Sequence, residues 1–181
     1  MASYWLIHFL RHLEAEHNVN HDGTSDNIQA TANLLVTSPF TRTLQTTQIA
    51  LPKLKSRLEA AGQKLIVLSR LQEKVLRLVT LEKAVRSLRK RKSLRHRFSS
   101  LEDDWNVKVG DFAPENVVSR AKWVRKWLRA RPEREIVVVS HANFLRAITN
   151  TDRSNYWGNG EIRSFTFVED DDEDAVLQRI T

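Results

Sequence analysis

The chain of 181 residues has no cysteine, only five glycines and no apolar run long enough to cross a bilayer. Without cysteine, disulfides and thiol chemistry are excluded. The sequence contains neither a P-loop nor a glycine-rich dinucleotide fingerprint, and its histidine spacing offers no zinc ligand set. No secretory signal pattern is visible. We therefore expect a cytoplasmic protein without metal, cofactor or membrane association.

Charge is distributed unevenly along the chain, whose formal net charge is +7. Lys83–Arg97 carries eight Lys or Arg residues and no acid, whereas Glu169–Asp174 consists of six acids. We interpret the first as a solvated helix face and the second as a flexible acidic segment near 169–174. The basic stretch Arg86–Arg97 leaves a nuclear location open. Leu88 and Leu94 interrupt this stretch, which favours a helix face over a nucleic-acid-binding patch. We therefore expect a small anionic partner rather than nucleic acid.

Apolar runs that suit strands alternate with segments of helical periodicity, which is typical of an α/β fold. The predicted strands are Tyr4–Leu10, Leu34–Thr37, Leu65–Leu68, Ile136–Val139 and Arg163–Val168. The predicted helices are Thr41–Ala60 with a break one residue before Pro52, Leu71–Arg91, Pro114–Ala130 and Phe144–Thr149. A turn is predicted at His21–Asn27 and a loop at Ser99–Asp111. We expect one domain over residues 1–181, with a three-layer, mostly parallel sheet flanked by helices.

Two predicted strands each end in a histidine, in Arg11-His12 and in Ser140-His141. Functional side chains collect at the carboxyl ends of strands in such sheets. A third segment, Ser38–Thr46, supplies Arg42. Imidazole is a nucleophile near neutral pH, and guanidinium presents a planar fork of donors that matches phosphate. The pattern therefore favours a site that holds and transfers a phosphoryl group.

These residues resemble, in the same order along the chain, the motifs of the histidine phosphatase superfamily with its phosphoglycerate-mutase-like fold. Arg11-His12-Leu13 stands where the family has Arg-His-Gly, and Ser38–Thr46 matches Ser-Pro-x-x-Arg-x-x-Gln-Thr. Leu71-Gln72-Glu73 resembles the Leu-x-Glu segment, and His141-Ala142 resembles the second histidine with its glycine. Asn159–Ser164 is similar to a strand of the fungal branch.

The chain departs from the family pattern at several positions. Leu13 and Ala142 replace glycines that allow the backbone to approach phosphate closely. His21–Ala32 is shorter than the family's corresponding segment, and Lys74–Ser87 lacks an Asp-Thr-Gly-like stretch. A side chain at Leu13 is expected to narrow the pocket or shift its loop.

The resemblance implies a role for each matched side chain. His12 attacks phosphorus and becomes phosphohistidine, and Arg11 and Arg42 hold the phosphoryl oxygens. The further implied residues are His141 as a phosphate donor, Glu73 as the general acid, and Asn18 and Asn143 as hydrogen-bond donors to phosphate. A phosphomonoester hydrolase is expected rather than a mutase, because the short chain leaves little room for a cap over a retained intermediate.

Two other functions are compatible with the sequence. The fold can serve a lyase, dehydratase or cyclase acting on an anionic metabolite, which the changes at Leu13 and Ala142 favour. Alternatively, the chain is a non-catalytic module that binds RNA or an acidic partner through Lys83–Arg97.

Overall fold

A single six-stranded sheet forms the centre of the protein in a computed structural model that describes residues 4–14, 23–74, 101, 108–168 and 173–180. The strands are β1 Leu6–Arg11, β2 Leu34–Thr37, β3 Ile66–Val67, β4 Glu135–Ser140, β5 Ile162–Phe167 and β6 Leu177–Arg179. Their order in the sheet is β3-β2-β4-β1-β5-β6. The first four strands of this order pair in parallel, whereas β5 is antiparallel to both β1 and β6.

Helices cover both faces of the sheet. They are α1 Gly23–Thr31, α2 Thr41–Ala50, α3 Pro52–Ala60, α4 Val117–Arg129 and α5 Ala142–Ile148. Because alternate strand residues point to opposite faces, the apolar strands β1 and β4 contribute side chains to two hydrophobic clusters, one on each face of the sheet. Leu10 and Val139 pack with α1 and α3, whereas Phe9 and Val138 pack with α4 and α5. The predicted α/β class with a mostly parallel, helix-flanked sheet is confirmed.

Strand register brings three chain segments to one edge of the sheet. Arg11 is paired with Ser140, and Thr37 with Val139. The next backbone hydrogen bonds continue this alignment, from the His12 N–H to the Ser140 carbonyl at 3.0 Å and from the Ser38 N–H to Val139 at 3.0 Å. The carboxyl ends of β1, β2 and β4 therefore lie side by side.

The predicted turn at His21–Asn27 is wrong from Gly23 onward, where α1 begins. This helix has few apolar residues, so its pattern gave little sign of it. Its contacts with α3 explain its formation: Ile28 is buried, and the Arg57 guanidinium donates to the backbone carbonyls at the end of α1. Tertiary packing therefore overrides local propensity here. His21 itself lies outside the described residues.

The helix predicted for Leu71–Arg91 does not begin at Leu71. Ser69–Leu71 is a 3₁₀ turn, and Gln72 after it is extended, with φ −67° and ψ 156°. The remainder of that prediction, from residue 75 on, lies outside the described residues. The chain at 72–74 is therefore a loop whose backbone carbonyls need partners from other elements.

The C-terminal prediction is also incomplete, because β5 is followed by β6. Three residues, Leu177–Arg179, pair with β5 through backbone hydrogen bonds. Only Leu177 among them is buried, so the apolar signal is too short to indicate a strand. Residues 169–172 of the acidic segment lie outside the described residues.

The helix predicted at Pro114–Ala130 is confirmed, with a 3₁₀ turn at Pro114–Asn116 leading into α4. The expected apolar face comprised Val117, Val118, Ala121, Val124 and Leu128. Val118 does not belong to it, since its side chain is 69% exposed. Val118 lies 100° further around the helix axis than Val117 and therefore faces solvent. Arg120, which is 1% exposed, lies on the inner face.

The break predicted before Pro52 is confirmed, since α2 ends at Ala50 and α3 starts at Pro52. Of the loop predicted at Ser99–Asp111, residues 99–100 and 102–107 lie outside the described residues, and a 3₁₀ turn at Gly110–Phe112 starts within the rest. Within the described ranges, no helix is both long and apolar enough to cross a membrane.

Candidate active site

His12 follows β1 directly, and its imidazole is 6% exposed. Its Nδ1 lies 2.9 Å from the Leu13 carbonyl oxygen. A carbonyl only accepts, so Nδ1 carries the proton and the Nε2 lone pair is left available. The pKa of His12 is lowered to about 4. Burial is the largest cause, the charges of Arg42 and Arg11 act in the same direction, and the hydrogen bond to Leu13 opposes them. His12 is therefore a neutral imidazole near pH 7.

His141 holds the opposite tautomer. The Nε and Nη2 groups of Arg42 donate to its Nδ1 at 3.1 and 3.0 Å. Because Nδ1 accepts, the proton lies on Nε2, which donates to the Ser38 hydroxyl at 2.9 Å. Burial, followed by the charge of Arg42, holds the pKa of His141 well below its usual value. The His12 and His141 ring centroids are 5.1 Å apart, so the two imidazoles are neighbours in one site.

The two predicted arginines approach this pair from different elements. Arg42 lies in the first turn of α2 and bonds to His141 as described above. Arg11, the last residue of β1, donates through Nη1 to the Trp157 carbonyl oxygen and lies 3.6 Å through Nη2 from the Glu14 carboxylate. Both charges lower the pKa of the buried His12. Arg42 contacts the pair directly through His141, whereas the Arg11 guanidinium is bonded to the Trp157 carbonyl.

Glu73 lies on the loop after β3 and is 8% exposed. One carboxylate oxygen accepts the Lys74 N–H at 2.8 Å. Burial lowers the pKa of Arg42, and the Glu73 carboxylate is the first charge that opposes this. The carboxylate is therefore within electrostatic reach of the arginine that contacts His141.

A pocket of about 330 Å³ opens beside His12. Its lining residues are His12, Leu13, Glu14, Arg42, Gln45, Thr46 and Ile49. Leu13, which stands where the motif has a glycine, is one of these lining residues. Neither Leu13 nor Ala142 has a backbone in the left-handed region, so neither replacement strains the chain. Ala142 packs against the cluster under α4 and α5.

The two asparagines of the sequence prediction are not brought to this pocket. Asn143 is exposed and accepts from Arg146, and it lines a separate cleft of about 810 Å³ beside α4 and α5. Asn18 lies outside the described residues, as does the basic stretch Lys83–Arg97. In the described part of the chain, no group of three or more His, Asp or Glu side chains is arranged to hold a metal ion.

Several side chains that support the site were not among the predicted site residues. Thr46 accepts the Leu13 N–H at 2.9 Å, and Ser38 fixes His141. Lys108 and Arg120 donate to the backbone of the Glu73 loop. Their bonds go to backbone groups or to residues far away in the chain, so spacing alone does not reveal them. The segment Ser38–Thr46 does contain two of them, at its ends.

Residues 24–157 match the model of the histidine phosphatase superfamily, branch 1. This range covers more than half of the chain, so the chain belongs to the histidine phosphatase superfamily. The matched range includes Arg42, Glu73 and His141 and begins after His12. No curated protein sequence matches the chain significantly.

Solved structures share the fold at low sequence identity. A mycobacterial protein named hydrolase 2 has 17% identity and a TM-score of 0.55, over 98% of this chain and 90% of that one. Phosphoserine phosphatase from Entamoeba histolytica, in complex with 3-phosphoglyceric acid, has 16% identity and a TM-score of 0.52, over 97% and 95%. A mycobacterial glucosyl-3-phosphoglycerate phosphatase has 16% identity and a TM-score of 0.50, over 97% of both chains.

Proposed function

We propose that this protein hydrolyses phosphate monoesters through a phosphohistidine at His12. The observation that carries the proposal is the state of His12: a buried, neutral imidazole whose Nδ1 proton is bonded to Leu13, leaving Nε2 as the nucleophile. The second neutral histidine and Arg42 lie beside it. A neutral nucleophile among cations suits attack on an anionic phosphoryl group.

In the first step, the Nε2 lone pair of His12 forms a bond to phosphorus. The bond from phosphorus to the ester oxygen breaks, and its electron pair stays on the leaving oxygen. Glu73, as the general acid, gives its proton to that oxygen. Arg11 and Arg42 hold the phosphoryl oxygens, and their planar donor forks match the charge that spreads over these oxygens in the transition state.

In the second step, water attacks phosphorus and the bond between phosphorus and Nε2 breaks. The Glu73 carboxylate takes the proton of the water, so inorganic phosphate leaves and both residues return to their starting state. Hydrolysis is proposed rather than mutase chemistry because the pocket, in the described part of the chain, reaches the surface beside the exposed residues Gln45 and Ile49. Water therefore has a path to the phosphoenzyme.

The substrate class is proposed as a small phosphate monoester. Phosphoserine phosphatase and glucosyl-3-phosphoglycerate phosphatase share the fold, and the pocket volume of about 330 Å³ fits a small ester. We also keep as a proposal the kinship with the fungal branch, which rests on the resemblance of Asn159–Ser164. In this segment the Glu161 carboxylate accepts from Arg163, whose guanidinium covers the Trp157 ring.

The experiment compares two histidine variants on p-nitrophenyl phosphate. His12→Gln should lower kcat at least about 10³-fold, as expected for loss of a nucleophile. His8→Gln is the control, because His8 is another buried histidine of β1 but bonds to Ser164 and Glu135, away from the site. It should retain turnover. Equal turnover of wild type and His12→Gln would overturn the proposal that His12 is the nucleophile. No turnover by the wild type would overturn phosphatase activity and favour lyase, dehydratase or cyclase chemistry in the same pocket.

A further inference from the structure

Three consecutive backbone carbonyls, one at the end of the 3₁₀ turn and two in the Glu73 loop at 72–74, each accept a hydrogen bond from a side chain of another element. The Ser140 hydroxyl donates to the Leu71 carbonyl at 2.7 Å, and Arg120 Nη2 donates to the Gln72 carbonyl at 3.1 Å. Lys108 Nζ donates to the Glu73 carbonyl at 2.8 Å. The loop is therefore held from β4, from α4 and from the chain before the Gly110–Phe112 turn.

The loop needs these donors because it lies beyond the 3₁₀ turn, outside any helix or strand. Buried carbonyls without a ladder partner cost free energy unless another donor reaches them. Leu71 and Gln72 are both fully buried. The position of this backbone is thus set by side chains that lie far away in the sequence.

Lys108 is the donor that acts closest to Glu73. Its Nζ bridges the Glu73 carbonyl and the Gln72 side-chain oxygen, at 2.8 and 2.6 Å. The pKa of Lys108 is lowered to about 7 by burial and by the charge of Arg120, and the Glu73 carboxylate opposes both. The Lys108 amine therefore lies within reach of the Glu73 charge, while Glu73 also interacts with Arg42.

We propose that Lys108, supported by Arg120, is a positioning residue that holds Glu73 in place to protonate the leaving oxygen. This inference rests on the proposed function, in which Glu73 is the general acid. Lys108 touches neither phosphorus nor its oxygens in this account. It acts by fixing the backbone that carries Glu73, and a displacement of about 1 Å in such a group can cost about 100-fold in rate.

The test uses two substrates that differ in their need for an acid. An alkyl phosphate such as phosphoserine has a poor leaving group and needs the proton, whereas p-nitrophenyl phosphate has a good one and does not. Lys108→Met should lower kcat/KM for phosphoserine by about 10- to 100-fold and leave kcat/KM for the aryl phosphate little changed. This ratio reports the steps up to formation of the phosphoenzyme and not its hydrolysis, which the two substrates share. Lys126→Met, at an exposed position of α4, is the matched control and should leave both rates unchanged.

A double variant tests whether Lys108 acts through Glu73. Glu73→Gln should lower kcat/KM for phosphoserine selectively, and Lys108→Met added to it should cause little further loss in kcat/KM, because residues that act as a unit are not additive. An equal loss on both substrates, an unselective effect of Glu73→Gln, or full additivity in the double variant would overturn the inference.

Folding and the proposed function are checked separately. If circular dichroism shows that Lys108→Met is unfolded, Lys108→Arg replaces it, because it keeps a cationic donor but changes its reach. The same selective loss on phosphoserine is expected, and an unselective loss overturns the inference. Failure of the proposed function gives a different result, because His12→Gln would then turn over p-nitrophenyl phosphate as fast as the wild type.

Discussion

At the scale of single residues, the site is defined by two imidazoles in opposite tautomers. A carbonyl acceptor holds the proton of His12 on Nδ1, and a guanidinium donor leaves His141 with its proton on Nε2. Arg42 covers the lone pair on Nδ1 of His141. When Arg42 turns to a phosphoryl group, Nδ1 of His141 can bond to the same group only after it gains a proton.

We therefore predict that anion binding takes up a proton. A dianion beside His141 should raise its pKa, which burial holds well below the usual value in the free protein. Titration calorimetry with tungstate at pH 7, in buffers of different ionisation enthalpy, should show uptake of a proton per tungstate bound. His141→Gln should bind tungstate without uptake. Buffer-independent enthalpies for the wild type would contradict this assignment of roles.

At the scale of elements, the junction between β1 and α2 sets the turn that carries His12. Thr46 on α2 accepts the buried Leu13 N–H at 2.9 Å and donates to the Arg42 carbonyl at 2.7 Å. One hydroxyl thus ties the end of β1 to the helix that presents Arg42. This contact fixes the backbone on both sides of the pocket.

Thr46→Val removes this hydroxyl at nearly constant volume. A buried N–H without a partner should lower the free energy of unfolding by about 1–3 kcal/mol, and kcat should fall with it. Urea denaturation measures the first effect. Thr41→Val on the same helix is the control, because the structure gives the Thr41 hydroxyl no hydrogen-bond partner among the described residues. Similar losses in the two variants would show that the Leu13 contact contributes nothing.

The same elements show what the sequence could predict. Local sequence patterns predict the buried strand β4 from its apolar run. They also predict that Arg11-His12 and Ser140-His141 lie at strand ends. By contrast, α1 forms through contacts with α3, and Lys108 reaches Glu73 through a backbone carbonyl. Such contacts depend on tertiary structure and leave no periodicity in the sequence.

At the scale of the whole molecule, buried neutral histidines link stability to pH. Burial is the main cause that lowers the pKa values of His8, His12 and His141. The pKa of His12 is lowered to about 4. In the unfolded chain, the pKa of a histidine is about 6.5. As the pH falls below that value, the unfolded state binds protons that the native state does not. The stabilisation that comes from keeping these histidines neutral is therefore fully present above pH 6.5, and it is lost as the pH falls toward their native pKa values.

We predict that the free energy of unfolding falls between pH 7 and pH 5. Each buried neutral histidine should contribute up to about 1.4 kcal/mol per pH unit in the lower part of that window. Urea denaturation at a series of pH values measures the slope, and His12→Gln should make it shallower. A stability that stays constant from pH 7 to pH 5 would show that these histidines are not held neutral.

The most direct test of the central claim is to trap the covalent intermediate. The protein is mixed with a ³²P-labelled phosphate monoester, quenched in alkali within milliseconds, and digested for mass spectrometry. We expect label that is stable in alkali and lost in acid, on the peptide that contains His12 and absent from His12→Gln. Turnover with no labelled protein, or label on another residue, would contradict it.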